Sequence, residues 1–287
     1  MKKLKNVFKF ILKEFVYGGH LQSLGAASIV FVSAVLLNIK VGWDCLFIIY
    51  LIFYSAYLYN RFKELKIDYL TNPQRTEHFK RYISRAPIIL FFVISVLIGG
   101  LVYFSNLWAL IFGTLLLIFG FFYTTFFKKI TKRIPLFKNL YVSTFFASLV
   151  FFLIVYYSYA MTFSLTIGAL AFAIFVYFKA FIMQILLDVK DIESDRKQGL
   201  LTFPVVFGKR KILNILRILS ISITVPVLII FSFYLDIFPK PMIMLLLTIP
   251  FNFYCFRLAE RQKYLGYILG SGEFVLWTIL ILIGKHL

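Results

Sequence analysis

Nine stretches of this sequence run for about 17 to 25 residues with scarcely a charge, long enough to cross the hydrocarbon core of a bilayer as helices. They lie near residues 20–39, 43–60, 87–105, 107–127, 139–158, 160–184, 212–235, 241–256 and 265–284. The division between the fifth and sixth is the weakest, because 151–180 is broken only by Tyr156, Tyr157, Ser158 and Tyr159. Hydrophobic residues make up 61% of the chain and the mean hydropathy is +0.90, well beyond a water-soluble domain, so lipid is the solvent for most of the surface. The expected fold class is an all-α integral membrane protein of about nine transmembrane helices.

The charges test the topology. Thirty-one basic residues face only 12 acidic ones, a balance that in a soluble protein would suggest nucleic acid as partner. Here they gather in short loops. With the N-terminus in the cytoplasm, the segments 1–17, 61–86, 128–138, 188–211 and 257–263 carry 26 of the 31 Lys and Arg residues, against Lys40, Lys240 and Lys285 on the opposite side. That asymmetry follows the positive-inside rule and suits an odd number of spans; the implied partner is the bilayer and not nucleic acid. Residues 1–17 set Leu4, Phe8, Ile11, Leu12 and Phe15 on one helical face opposite lysines, the pattern of an interfacial amphipathic helix. Lys13 and Glu14 interrupt any signal-peptide core. Residues 18–287 are expected to form one transmembrane domain. Cys45 and Cys255 fall near opposite membrane faces and make no disulfide or metal framework.

Seven of the 12 acids, Glu64, Asp68, Glu77, Asp188, Asp191, Glu193 and Asp195, fall in two cytoplasmic loops. At ~100° per residue, Asn60, Glu64 and Asp68 share an arc of ~80°, and Asp188, Asp191 and Asp195 one of ~60°, with Glu193 pointing elsewhere. Carboxylates stacked this way repel one another unless something positive sits on them. Mg²⁺ takes oxygen ligands and is commonly held by one or two carboxylates plus substrate phosphates. The interleaved Arg61, Lys63, Lys66, Lys190, Arg196 and Lys197 suit an anionic ligand, and a diphosphate bridged by metal to carboxylates satisfies both signs. The plainer reading of either cluster alone is a solvated, salt-bridged helix end.

These residues resemble the UbiA-type superfamily of intramembrane prenyltransferases, in which nine helices and two aspartate-rich motifs frame one central cavity. Asn60, Glu64 and Asp68 stand at the first motif, followed by Asn72-Pro73-Gln74-Arg75; Asp188, Asp191 and Asp195 match the second; Gly199, Thr202, Pro204 and Gly208 are similar to its continuation. Tyr123, Lys128 and Asn139 resemble a third conserved stretch. Three positions depart from the pattern: Glu64 replaces an aspartate, Arg61 stands where many members have aspartate, and Thr76 replaces a proline.

The resemblance implies a polyprenyl diphosphate donor, an unspecified lipid-soluble or aromatic acceptor, and Mg²⁺, with Mn²⁺ as a substitute. Asn60, Glu64, Asp68, Asp188, Asp191 and Asp195 are implied metal ligands, and Arg61, Arg75, Lys128 and Lys190 contacts to diphosphate. Asp191, Lys128 and Tyr123 are the expected catalytic residues, Tyr123 through its ring face. Asn139 is expected beside the substrate, and His20, in a polar patch with Gln22 and Ser23, is a candidate to face the acceptor. A multi-pass membrane location is implied, the plasma membrane if the source is prokaryotic.

Two charges stand deep within spans. Lys179 and Glu273 lie at equal depth, ~13 Å from the cytoplasmic edge at 1.5 Å per residue, which permits either a structural pair or a wet cavity lining. A CDP-alcohol phosphotransferase would open its acidic motif on Asp-Gly, and Asp188 is followed by Val189. A cation transporter would hold its acids near the bilayer midplane. A catalytically silent isoprenoid-binding relative is the remaining alternative.

Overall fold

The computed structural model describes residues 2–134, 136–160 and 162–286, with the side chains of 2–6, 9, 66–68, 70, 71, 124, 128 and 129 outside the description. In chain order the helices are α1 (Lys2–Tyr17), α2 (His20–Leu36), α3 (Trp43–Thr71), α4 (Pro73–Lys80), α5 (Ala86–Phe104), α6 (Leu107–Phe122), α7 (Lys128–Thr131) and α8 (Phe137–Tyr156). They continue with α9 (Phe163–Val189), α10 (Ile192–Lys197), α11 (Phe203–Phe207), α12 (Lys209–Ile229), α13 (Thr248–Glu260), α14 (Leu265–Ser271) and α15 (Glu273–Gly284). Two π-helical turns, Tyr123–Phe127 and Ile230–Tyr234, extend α6 and α12, and a 3₁₀ segment Lys240–Leu247 leads into α13.

Among the described residues seven helices are long and apolar enough to span a membrane, and there are up to nine spans if each of two bent pairs, Phe10–Tyr17 with His20–Leu36 and Leu265–Ser271 with Glu273–Gly284, counts as one. The weak division after Tyr156 is a real break, with Thr162 capping α9 by accepting from the Leu165 amide at 3.2 Å. Across the same loop region Asn106 caps α6 and donates to the carbonyls of Val155 and Tyr156 at 2.7 and 3.0 Å, tying two hairpins together.

Helix α9 is the central post, packed against α8, α12, α14 and α2, and its most apolar window is 61% buried against 17% and 18% for the windows of the α5 and α6 spans. The outer spans show large side chains such as Phe91, Phe92, Tyr103 and Trp108 to their surroundings, as lipid-facing surfaces should. Lys179 of α9 and Glu273 of α15, both essentially inaccessible, form an ion pair at 2.6 Å. Thr248 and Trp277 complete it, accepting from Lys179 at 3.2 Å and donating to Glu273 at 3.4 Å. Of the two readings of these charges, the structure selects the pair.

Helix α1 is turned 59° from α2 at Gly18-Gly19. Gly19 has φ +96°, and a Cβ there would lie 2.2 Å from the ring of Tyr57, so the corner is closed to other residues. Glu14 then fastens α1 to the loop after the first motif. It pairs with His78 at 2.6 Å, accepts from Tyr82 at 3.2 Å and approaches His20 at 3.6 Å. Phe8, Ile11 and Leu12 remain exposed on its apolar face.

Candidate active site

One end of the bundle closes around a cavity of ≈ 300 Å³. Helix α3 runs on well past the apolar stretch 43–60, so Asn60, Arg61 and Glu64 reach the wall from successive turns. Pro73, with no N–H to lose, starts α4 immediately after α3 and brings Arg75 to the same wall. Tyr123 enters at the π-helical turn, where the extra residue per turn re-aims the side chains. From α8 comes Lys138, from the end of α9 Gln184, Asp188 and Lys190, and from α14 and the residue before it Tyr267 and Tyr264.

The second acidic motif does not lie on one continuous helix. Helix α9 ends at Val189 and α10 begins at Ile192, with Asp191 at the N-cap position and its amide donating to the Asp188 carbonyl at 3.0 Å. The break has a physical reason: three stacked carboxylates are unfavourable in a straight helix, whereas acids are favoured at the start of a new one. Asp188, Asp191 and Asp195 nevertheless all reach the cavity, and Glu193 points away, 78% exposed and paired with Arg196.

Cations and carboxylates alternate in the wall. Asp188 receives Lys138 Nζ on Oδ1 at 2.5 Å and Asn139 Nδ2 on Oδ2 at 2.8 Å. Beside it Asp195 accepts from Thr202 at 3.1 Å; burial pushes its carboxyl up to about 6, with Asp188 and Asp191 acting in the same direction and Lys138 against them. Lys190 pairs with Asp191 at 3.2 Å and donates to Asn72 Oδ1 at 3.3 Å, where Tyr264 also donates at 3.2 Å. Burial lowers Lys190 to about 8; Asp191 opposes that shift and the Arg75 and Arg61 guanidiniums add to it. Arg61 lies 4.6 Å over the Tyr57 ring. Phe53, Val142, Phe145 and Phe146 add an apolar part to the lining.

Of the residues singled out in the sequence, Asn60, Arg61, Glu64, Arg75, Tyr123, Asp188, Lys190, Asp191 and Asp195 share this cavity. Asn139 stands behind it, buried against Asp188, its amide oxygen lacking a hydrogen-bond partner among the described residues. His20 is not part of the lining; it stacks on Tyr54 at 4.8 Å and bonds the Tyr50 hydroxyl, and of its polar patch only Gln22 reaches the cavity. The side chains of Asp68 and Lys128 lie outside the described residues. Lys138 and Tyr264 were not singled out by sequence, and Asn72 was named only as part of a turn, without a role. Asn72 had a signal in the Asn-Pro-x-Arg turn; Lys138 had none beyond its place in a basic loop.

Among the described residues no three Asp, Glu, His or Cys side chains gather closely enough to hold a metal unaided. The donors facing the cavity are carboxylate and amide oxygens, hard ligands that suit Mg²⁺ when phosphate oxygens complete its shell. The residues present therefore fit a metal that arrives with a diphosphate.

Fold and site together define a multi-pass α-helical membrane protein with a charged cavity at one end of the bundle. The chain belongs to the UbiA prenyltransferase family, which it matches over residues 23–266. No curated protein sequence matches it. Among solved structures it is similar to the apo form of a UbiA homologue from Aeropyrum pernix K1, at 15% identity, TM-score 0.66, with 92% of this chain and 96% of that one covered. A UbiA homologue from Archaeoglobus fulgidus bound to GPP and Mg²⁺ gives 15% identity and TM-score 0.64 over 96% of this chain and 100% of that one. A digeranylgeranylglyceryl phosphate synthase gives 19% identity and TM-score 0.55 over 99% and 97%.

Proposed function

We propose that this protein transfers a prenyl group from a polyprenyl diphosphate to a lipid-soluble or aromatic acceptor within the membrane. The observation that carries the reading is the meeting of both acidic motifs with Arg61, Arg75 and Lys190 in one cavity that has an apolar flank. The solved homologue with GPP and Mg²⁺ supports the same donor class and the same ion.

Bound with the donor, Mg²⁺ or Mn²⁺ supplies charge stabilisation to the leaving diphosphate. Asn60, Glu64, Asp191 and Asp195, which line the cavity, would hold it, with Asp68 the remaining acid of the first motif. Arg61, Arg75 and Lys190 hold diphosphate oxygens, and Lys128 is proposed for the same task. Breaking the allylic C–O bond moves negative charge onto the diphosphate, where fixed cations act most strongly because they need no reorganisation. The allyl cation left behind faces Tyr123, whose ring is stacked on Tyr141 with centroids 5.8 Å apart. Phe53, Phe145 and Phe146 keep water from the cation and receive the start of the isoprenoid tail. The acceptor attacks the allylic carbon and gives up a proton to the released diphosphate, which restores its neutrality.

In this reading α1 lies in the membrane interface, residues 18–287 form the catalytic domain, and the charged cavity opens to the cytoplasm. In a prokaryote the membrane is the plasma membrane. Purified protein given Mg²⁺, prenyl diphosphates of several lengths and a panel of acceptors should release diphosphate and form a prenylated product visible by mass spectrometry. Binding of the donor with no product from any acceptor would instead identify a silent isoprenoid-binding relative.

A further inference from the structure

Asp188 is the most enclosed acid of the second motif, 1% exposed, and both of its oxygens are taken by the chain itself. The groups that take them, Lys138 and Asn139, are consecutive residues in the first turn of α8, a helix packed along α9. Lys138 is the more open member of the pair at 21%, and it lines the cavity together with Tyr123 and Asp195. An ammonium has three donors, so one bond to Asp188 leaves donors for a second anion. Lys190 on Asp191 repeats the arrangement at the next acid of the motif. The described lining thus holds Arg61, Arg75, Lys138 and Lys190 against Glu64, Asp188, Asp191 and Asp195, four charges of each sign.

A wall of carboxylates alone must recruit divalent ions before it can accept a polyanion. Among the described residues this wall already balances its carboxylates with cations. We infer that Lys138 is a resident cation of the donor site: it occupies Asp188, presents its ammonium to the diphosphate where a divalent ion on that carboxylate would otherwise do so, and leaves the protein binding its donor with one metal. The assignment rests on the prenyl-diphosphate reading above and removes Asp188 from the expected metal ligands. Lysine serves because its compact charge sits on a flexible stem that reaches both a buried carboxylate and a ligand.

The test is the number of Mn²⁺ ions bound per protein, read by electron paramagnetic resonance during titration of purified protein saturated with an unreactive thiodiphosphate analogue of GPP. Wild type should bind one Mn²⁺ with the analogue. Lys138→Gln, which uncovers the Asp188 carboxylate, should bind two; Lys138→Arg should keep one; and Lys138→Gln with Asp188→Asn should return to one. Two ions in wild type would overturn the inference whatever the variants do, so it does not depend on their folding. One ion in a folded Lys138→Gln protein would also overturn it. If the analogue does not bind at any Mn²⁺ concentration, the prenyl-diphosphate reading fails first and the role of Lys138 falls with it.

Discussion

Asp191 and Glu193 stand two positions apart and face opposite ways, one into the cavity with Lys190 and Asn72, the other outward beside Arg196. Asp191→Asn preserves size and hydrogen-bonding capacity while removing charge, so folding should survive and turnover of a prenyl diphosphate should fall at least ~10²-fold, the scale seen on removing one preorganised electrostatic contact. Glu193→Gln in the same membranes should change turnover little. Equal rates in the two variants would return the cluster to a solvated helix end. Helical spacing separated Glu193 from its neighbours in the sequence, yet the spacing assumed an unbroken helix, whereas the chain turns at Lys190-Asp191 before α10 begins. Lys138 was illegible for a different reason: its meaning lies in a contact with a residue 50 positions later, and its own surroundings are simply basic.

At the scale of elements, hydropathy located the spans because lipid leaves long apolar helices few alternatives. It could not see the π-helical turns or the bends at Gly18-Gly19 and Gly272, which arise from packing and backbone geometry rather than from polarity. The Lys179–Glu273 pair joins α9 to α15 where no water can compensate either charge. Lys179→Met or Glu273→Gln alone should lower stability by about 3–5 kcal/mol by leaving a buried charge uncompensated, whereas the double variant should recover most of that loss. Thermal unfolding in detergent measures both, and additive losses would argue against the coupling. The tether of α1 makes a second prediction. Glu14→Gln weakens the bond to His78, a ring only 2% exposed, and should cost about 1–3 kcal/mol on the same assay. An unchanged melting temperature would mean that α1 is held by its apolar face alone.

For the whole molecule, the bundle and the reaction site draw on different forces. The helices are held by packing around α9 and by the buried pair, while the cavity at their end is lined by charges that need a ligand to be used fully. Metal should therefore serve the donor and not the fold. The measurement that tests this most directly follows consumption of a radiolabelled prenyl diphosphate by the purified protein in liposomes, with circular dichroism recorded on the same samples. With Mg²⁺ the donor should be consumed; in excess EDTA consumption should stop while the helical signal stays constant, and added Mg²⁺ should restore it. Undiminished consumption in EDTA, or loss of helix on chelation, would contradict the account.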